Sequence, residues 1–123
     1  MTTLAVKRVY AQPDDGDGTR ILVDRLWPRG MPKQKARIDL WLKDIAPSDA
    51  LRKRFHAKPD DWDAFRQAYA EELASAAAQS AAREVLALLR KAPVTLLYAA
   101  RDEDRNNAVA LKLWLERKLA RQD

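Results

Sequence analysis

The stretch VTLLYAA, residues 94–100, constrains this chain more than any other. It follows Pro93 and is almost continuously apolar, without the alternation of a half-exposed strand. Such a run reads as a strand covered on both faces, the usual state of a strand in a parallel sheet. The chain must therefore supply partner strands and enough helix to cover them. RILVDRLW (20–27) is a second strand, ended by Pro28 and Gly30, and LAVKRVY (4–10) is a third. Between these two lies AQPDDGDG (11–18), a loop with Pro, Asp and Gly turn chemistry. That loop is short for a parallel crossover, which takes about a dozen residues or more, so the relative direction of the two strands stays open.

Helical periodicity fills the interval between 37 and 91. RIDLWLKD (37–44) places Ile38, Trp41 and Leu42 on one helical face. Ser48 can cap a short helix that buries Leu51 and Phe55. Asp60 can cap a longer one carrying Trp62, Phe65, Tyr69 and Leu73 on a stripe. Residues 80–91 make another helix around Val85 and Leu88 or Leu89, preceded by the alanine-rich patch ASAAAQSAA (74–82). A last helix runs from about Asp104 to Leu119, with Ala108, Leu111, Leu115 and Leu119 toward the core and Trp114 beside them. The expected fold is α/β, one domain over residues 1–123. It has a small three-stranded, mainly parallel sheet flanked by about five helices in a three-layer Rossmann-like arrangement. The connection from 20–27 to 94–100 is expected to be a right-handed crossover between parallel neighbours.

Composition narrows the chemistry. There is no cysteine, so disulfides, thiolate metal sites and Cys nucleophiles are out. His56 is the only histidine, which excludes a His-rich metal site and argues against a Ser-His-Asp triad. No Gly-rich phosphate loop is present. Neither a metal nor a cofactor is expected. No apolar run approaches the roughly 18 residues of a membrane span, and the N-terminus lacks a signal-peptide pattern. The expectation is a cytoplasmic monomer or homodimer. Net charge is +5, and it is uneven. Residues 20–58 hold 11 Lys/Arg against 4 Asp/Glu, while residues 59–75 hold one Arg against five acids. A basic half of this kind suits an anionic partner.

In open parallel sheets, ligands sit beyond the carboxyl ends of the strands. Two such ends stand out, DRLWPRG (24–30) and YAARDEDRNN (98–107). The candidate ligand-binding set is Asp24, Arg25, Trp27 and Arg29 from one end, with Tyr98, Arg101, Asp102, Asn106 and Asn107 from the other. Arginine can grip a carboxylate or phosphate with two parallel hydrogen bonds, and Trp27 offers a stacking surface. Asp24 and Arg25 are adjacent, so on a strand their side chains point to opposite faces. Each then needs its own partner, and Arg101 for Asp24 and Asp102 for Arg25 are the natural candidates. The acids 102–104 read first as a capping device for the last helix.

Three functions compete. The first is a pocket at those strand ends for a small anionic or nucleotide-like ligand, with the reaction unspecified. The second is a nucleic-acid-binding module built on RGMPKQKAR (29–37), where Arg29, Lys33, Lys35 and Arg37 meet no acid. The third is a non-catalytic protein-interaction domain, with the alanine-rich patch as its surface.

RILVDRLWPRG, ARIDLWLKDIAPSDALRKRF, VTLLYAARDEDRNNAVALKLWLE and the leading VKRVY together resemble the bacterial domain of unknown function 488, in its YeaO-like branch. The resemblance covers about residues 4–117. It implies a compact α/β fold and an intracellular bacterial protein, and brings no established activity. The wider family tends to carry Cys-His-Arg where this chain has Asn106-Asn107-Ala108, a stretch similar to anion-binding loops of phosphatase- or rhodanese-like folds. With thiol and guanidinium absent there, the resemblance leaves any anion grip to Arg25, Arg29, Arg101 or backbone N–H groups.

Overall fold

Residues 94–100 do form the centre of a sheet. The computed structural model describes residues 3–122. In it β4 (Val94–Tyr98) is buried along its whole length. It lies between β1 (Leu4–Arg8) and β2 (Thr19–Leu22), and β2 carries a short outer strand, β3 (Leu40–Trp41). The order is β1-β4-β2-β3 and every pairing is parallel. Register runs from Leu4 opposite Val94 to Arg8 opposite Tyr98, and from Thr19 opposite Val94 to Leu22 opposite Leu97.

The open question of strand direction resolves through this order. β1 and β2 point the same way and are not neighbours, because β4 is inserted between them. Residues 9–18 make the return. An extended chain covers about 3.3 Å per residue, enough to run back along a five-residue strand and step past β4. A single 3-10 turn, Asp15–Asp17, interrupts the path.

One face of the sheet carries the main core. It is built from α2 (Asp49–Ala57), α3 (Trp62–Glu72), α4 (Ala76–Lys91) and α5 (Asn107–Gln122) packed on Ile21, Val23, Val94 and Leu96. Ser48 and Ser75 cap α2 and α4 by accepting from Leu51 N–H and Ala78 N–H. Phe55, Trp62, Phe65 and Tyr69 form a continuous aromatic stack between α2 and α3. The alanine-rich patch starts α4, with Ala78, Ala81 and Ala82 buried. Full burial of a large apolar side chain contributes about 1.5–3 kcal/mol, so this face dominates stability.

The other face has a thin layer: the one-turn helix α1 (Lys33–Ala36) and the loops around it. Val9, Leu22 and Leu97 are buried there against Trp27, Ile38 and Trp41. Beside them sits a buried polar cluster. The Asp17 carboxylate takes Lys7 Nζ at 2.7 Å and Arg20 Nη1 at 2.5 Å. Arg20, only 4% exposed, also donates to the carbonyls of Ala36 and Arg37, which fastens the end of α1 to the sheet.

Four local expectations are corrected. Residues 37–44 are not a helix. Ile38 and Trp41 go to the thin face while Leu40 and Leu42 go to the main core. The open edge of β2 supplies the reason, since Asp39 N–H donates to Arg20 O and Leu42 N–H to Leu22 O. The strand expected over 20–27 ends at Leu22, with one further ladder bond from Val23 N–H to Leu97 O, so Asp24 and Arg25 lie in a bend. The third helix begins at Trp62 with Asp61 at its N-cap and no side-chain capping bond. The last helix begins at Asn107, and its cap is Asn106, whose Oδ1 accepts from Val109 N–H.

Candidate functional site

The chain leaves adjacent strands β2 and β4 in opposite senses. After β4 it turns into α5 on the main face, and after β2 it turns toward α1 on the thin face. The gap between their carboxyl ends is the topological switch point where parallel sheets take ligands. Here that gap holds the carboxylate of Asp24. Its Oδ2 accepts from Ala99 N–H at 2.9 Å and its Oδ1 from the Asn107 side-chain amide at 2.9 Å. The same amide donates to Val23 O, and Trp41 Nε1 donates to Asp24 O. Donors that could hold a small anion thus converge on an anion the chain itself provides. Burial pushes the Asp24 carboxyl above its usual range, against the hydrogen bonds from Asn107 and Ala99 and the charge of Arg52.

Arg25 turns away from this point and donates to Pro47 O and Ala46 O. It helps tether the segment before α2, together with Tyr69 Oη to Ile45 O and the Glu72 carboxylate on Ser48 N–H and Oγ. Burial, and then the charges of Asp24 and Glu72, push the Tyr69 phenol far up, so it stays a donor. The partners expected for Asp24 and Arg25, Arg101 and Asp102, are replaced by main-chain groups and Asn107. The reason is the bend: Arg25 sits beside carbonyls that no helix or strand would otherwise satisfy.

The remaining candidates spread out. Trp27 packs edge-on against Trp41 and donates to Met31 O, which closes the turn around Pro28 and Gly30. Tyr98 is buried in the main core, where burial pushes its phenol up. Asn106 is 1% exposed and serves as the helix cap. Arg101 and Asp102 are exposed. Asp102 accepts from the N–H groups of Arg105 and Asp104 in a tight turn, which holds its carboxyl below the usual range. Of the nine residues, then, the structure joins Asp24 to Asn107 across the strand ends, and Asn106 to Asp102 locally, where the Asn106 amide donates to Asp102 O. Among the described residues there is no group of three His, Cys, Asp or Glu side chains that could hold a metal. No helix among them is long and apolar enough to cross a membrane.

A second location emerges on the thin side of the sheet. A cleft of about 440 Å3 is lined by Val9, Tyr10, Gln12, Met31, Gln34, Lys35 and Arg37, among others, with no carboxylate in its wall. Lys33 is exposed on α1, and Arg29 is exposed in the turn whose carbonyl accepts from Tyr10 Oη. The basic segment 29–37 therefore borders a concavity, which sequence order alone does not imply. Tyr10, Gln12 and Gln34 were missed because they come from the turn and loop after β1 and from α1, with no motif in common. The one available signal was a tyrosine closing a strand immediately before a polar loop.

Fold and site together define a parallel α/β protein whose strand-end crevice is filled by its own side chains. The chain belongs to the family described as the inactive DUF488-N3 subclade, whose model matches residues 3–123. It is 44% identical over 109 residues to the uncharacterized protein YeaO of Escherichia coli, covering 89% of this chain and 93% of the relative. It is 41% identical over 110 residues to the uncharacterized proteins Mb3100c of Mycobacterium bovis and Rv3073c of Mycobacterium tuberculosis, covering 89% of this chain and 91% of each. No solved structure matches significantly.

Proposed function

We propose that this protein is a non-catalytic binding module that engages nucleic acid through the basic surface around the thin-face cleft. The observation that carries the reading is the lining of that cleft, in which Lys35 and Arg37 meet no acid, with Arg29 and Lys33 on the adjoining surface. The description of the subclade as inactive supports the non-catalytic part. Phosphate contacts made by such a surface lose affinity as salt rises, because binding releases condensed counterions. Fluorescence anisotropy with a labelled oligonucleotide should show affinity falling about tenfold or more between 50 and 200 mM salt, as three or four phosphate contacts require. The K33E/K35E double variant should weaken binding about tenfold at the lower salt without lowering the melting temperature, since both side chains are exposed. Absence of binding at low salt ends the proposal.

The second reading keeps the strand ends as an anion position, one that the chain satisfies itself: Ala99 N–H and the Asn107 amide converge on the Asp24 carboxylate, so an added anion enters only where that carboxylate is removed. Asp24→Ala vacates that position. It should cost about 2 kcal/mol, since it strands two donors while relieving the burial of a charge. Formate at 0.1 M, about the size of the missing carboxylate, should then raise the melting temperature of the variant and leave the parent chain unmoved. Equal shifts in both would remove the strand ends from consideration.

A further inference from the structure

We infer that the cleft takes an unpaired stretch of nucleic acid, with one base stacked on Tyr10. The inference rests on the reading of the cleft as a nucleic-acid surface and names the form that surface accepts. Among the described residues only Tyr10 and Leu26 are large apolar side chains with substantial exposure, and Tyr10 is 39% exposed in the cleft wall. A free aromatic ring on a basic surface would normally be mobile. This one is held at its hydroxyl and under one face, so a base would stack on the opposite face. Its hydroxyl donates to Arg29 O at 2.8 Å, and the Arg8 guanidinium lies 4.8 Å from the ring centroid. Arg8 is itself fixed, with Nε donating to Ala100 O and Nη2 to Ala99 O. The ring is thus oriented before any ligand arrives, and little side-chain entropy is left to lose on binding.

The rest of the lining fits the same ligand. Lys35 and Arg37 can follow a phosphate backbone, and Gln12 and Gln34 line the same cleft with amides that can donate to or accept from a base edge without dictating which base. A duplex fits poorly. Its bases are stacked on one another and offer no free face to Tyr10. The helix at the cleft, α1, has four residues, about 6 Å of length, too little to lie in a major groove as a recognition helix does. Single-stranded binding asks instead for a positive groove and an aromatic platform, and both are present within one concavity.

The test is fluorescence anisotropy at 50 mM salt with the full chain. The probes are a 12-nucleotide oligothymidylate, a duplex of the same length and an abasic strand with the same phosphates. The oligothymidylate should bind tightest. Tyr10→Ala should lose about 5- to 150-fold on it, the range measured for one base–aromatic stack, and should change abasic-strand binding less than twofold. Tyr10→Leu keeps apolar bulk and removes the ring, so it should lose nearly as much; it guards against a packing defect in the alanine variant. Tyr10→Phe keeps the ring and should retain most of the affinity. Equal binding of the thymidylate and abasic strands, or tight binding by Tyr10→Leu, overturns the stacking inference while the basic surface stands. Failure of all three probes to bind overturns both.

Discussion

Asp17→Ala is expected to lower the unfolding free energy by about 3–5 kcal/mol, the range for breaking a buried ion pair by removing one partner. Urea titration of parent and variant measures it directly. Asp17 is 8% exposed and Arg20 4%. Truncating the carboxylate strands the Arg20 guanidinium between β2 and α1 and leaves Lys7 without its anion. The loss should also loosen α1, since Arg20 is what ties Ala36 O and Arg37 O to the sheet. The pH dependence has a definite sign. Burial alone would push the Asp17 carboxyl up, but hydrogen bonds from Lys7, the Asp14 N–H and Arg20 outweigh it and hold the folded-state value below 3.8. A depressed acid contributes stability that is present above its unfolded value and is lost as pH falls through the folded one. The parent chain should therefore weaken as pH drops below 3.8, and Asp17→Ala should show a shallower decline over that window. Asp24 runs the other way: its raised carboxyl favours the fold most below 3.8 and loses that contribution as pH rises through the folded value.

Gly18→Ala should cost about 3 kcal/mol or more, and thermal unfolding would read it as a large fall in melting temperature. Gly18 has φ +67° and ψ −138°, a conformation essentially closed to other residues. A Cβ there would sit 2.0 Å from Pro93 O and 2.6 Å from Pro93 C, both backbone atoms that cannot step aside. The contact marks the start of the β2–β4 pairing, where Thr19 N–H donates to Pro93 O, so relief by movement would disturb the register of the central strand. Gly30 is the control. It too has positive φ, +72°, but an added Cβ meets nothing within 4 Å. Alanine there should cost only the backbone strain, about 1–2 kcal/mol.

The strong periodic signals were readable. The apolar run 94–100 announces a strand buried on both faces, and Ser48 announces a helix start, because both properties are local to the segment that carries them. RIDLWLKD failed as a helix for the opposite reason. Its apolar spacing fits either period, and the free edge of β2 decided between them. Segments 24–30 and 98–107 do touch, but through other partners than the charges suggest. Asp24 reaches Ala99 and Asn107 rather than Arg101, and Arg25 reaches two carbonyls rather than Asp102. A main-chain N–H or C=O leaves no mark in a sequence that distinguishes it from any other. Reasoning about charges therefore looks for charged partners and misses the backbone ones.

For this chain, the sequence by itself determined an α/β architecture on a mainly parallel sheet, the burial of β4, the sites of the main helices and the basic character of 29–37. All of these follow from periodicity, capping chemistry and charge within a window of a few turns. Tertiary structure decided that β4 separates β1 from β2, that 40–41 completes the sheet, and that the strand-end crevice is filled from within by Asp24. It also decided that Tyr10 comes to stand beside Lys35 and Arg37. Each of these depends on groups far apart along the chain, and which distant groups meet is set by how the sheet and helices pack as a whole.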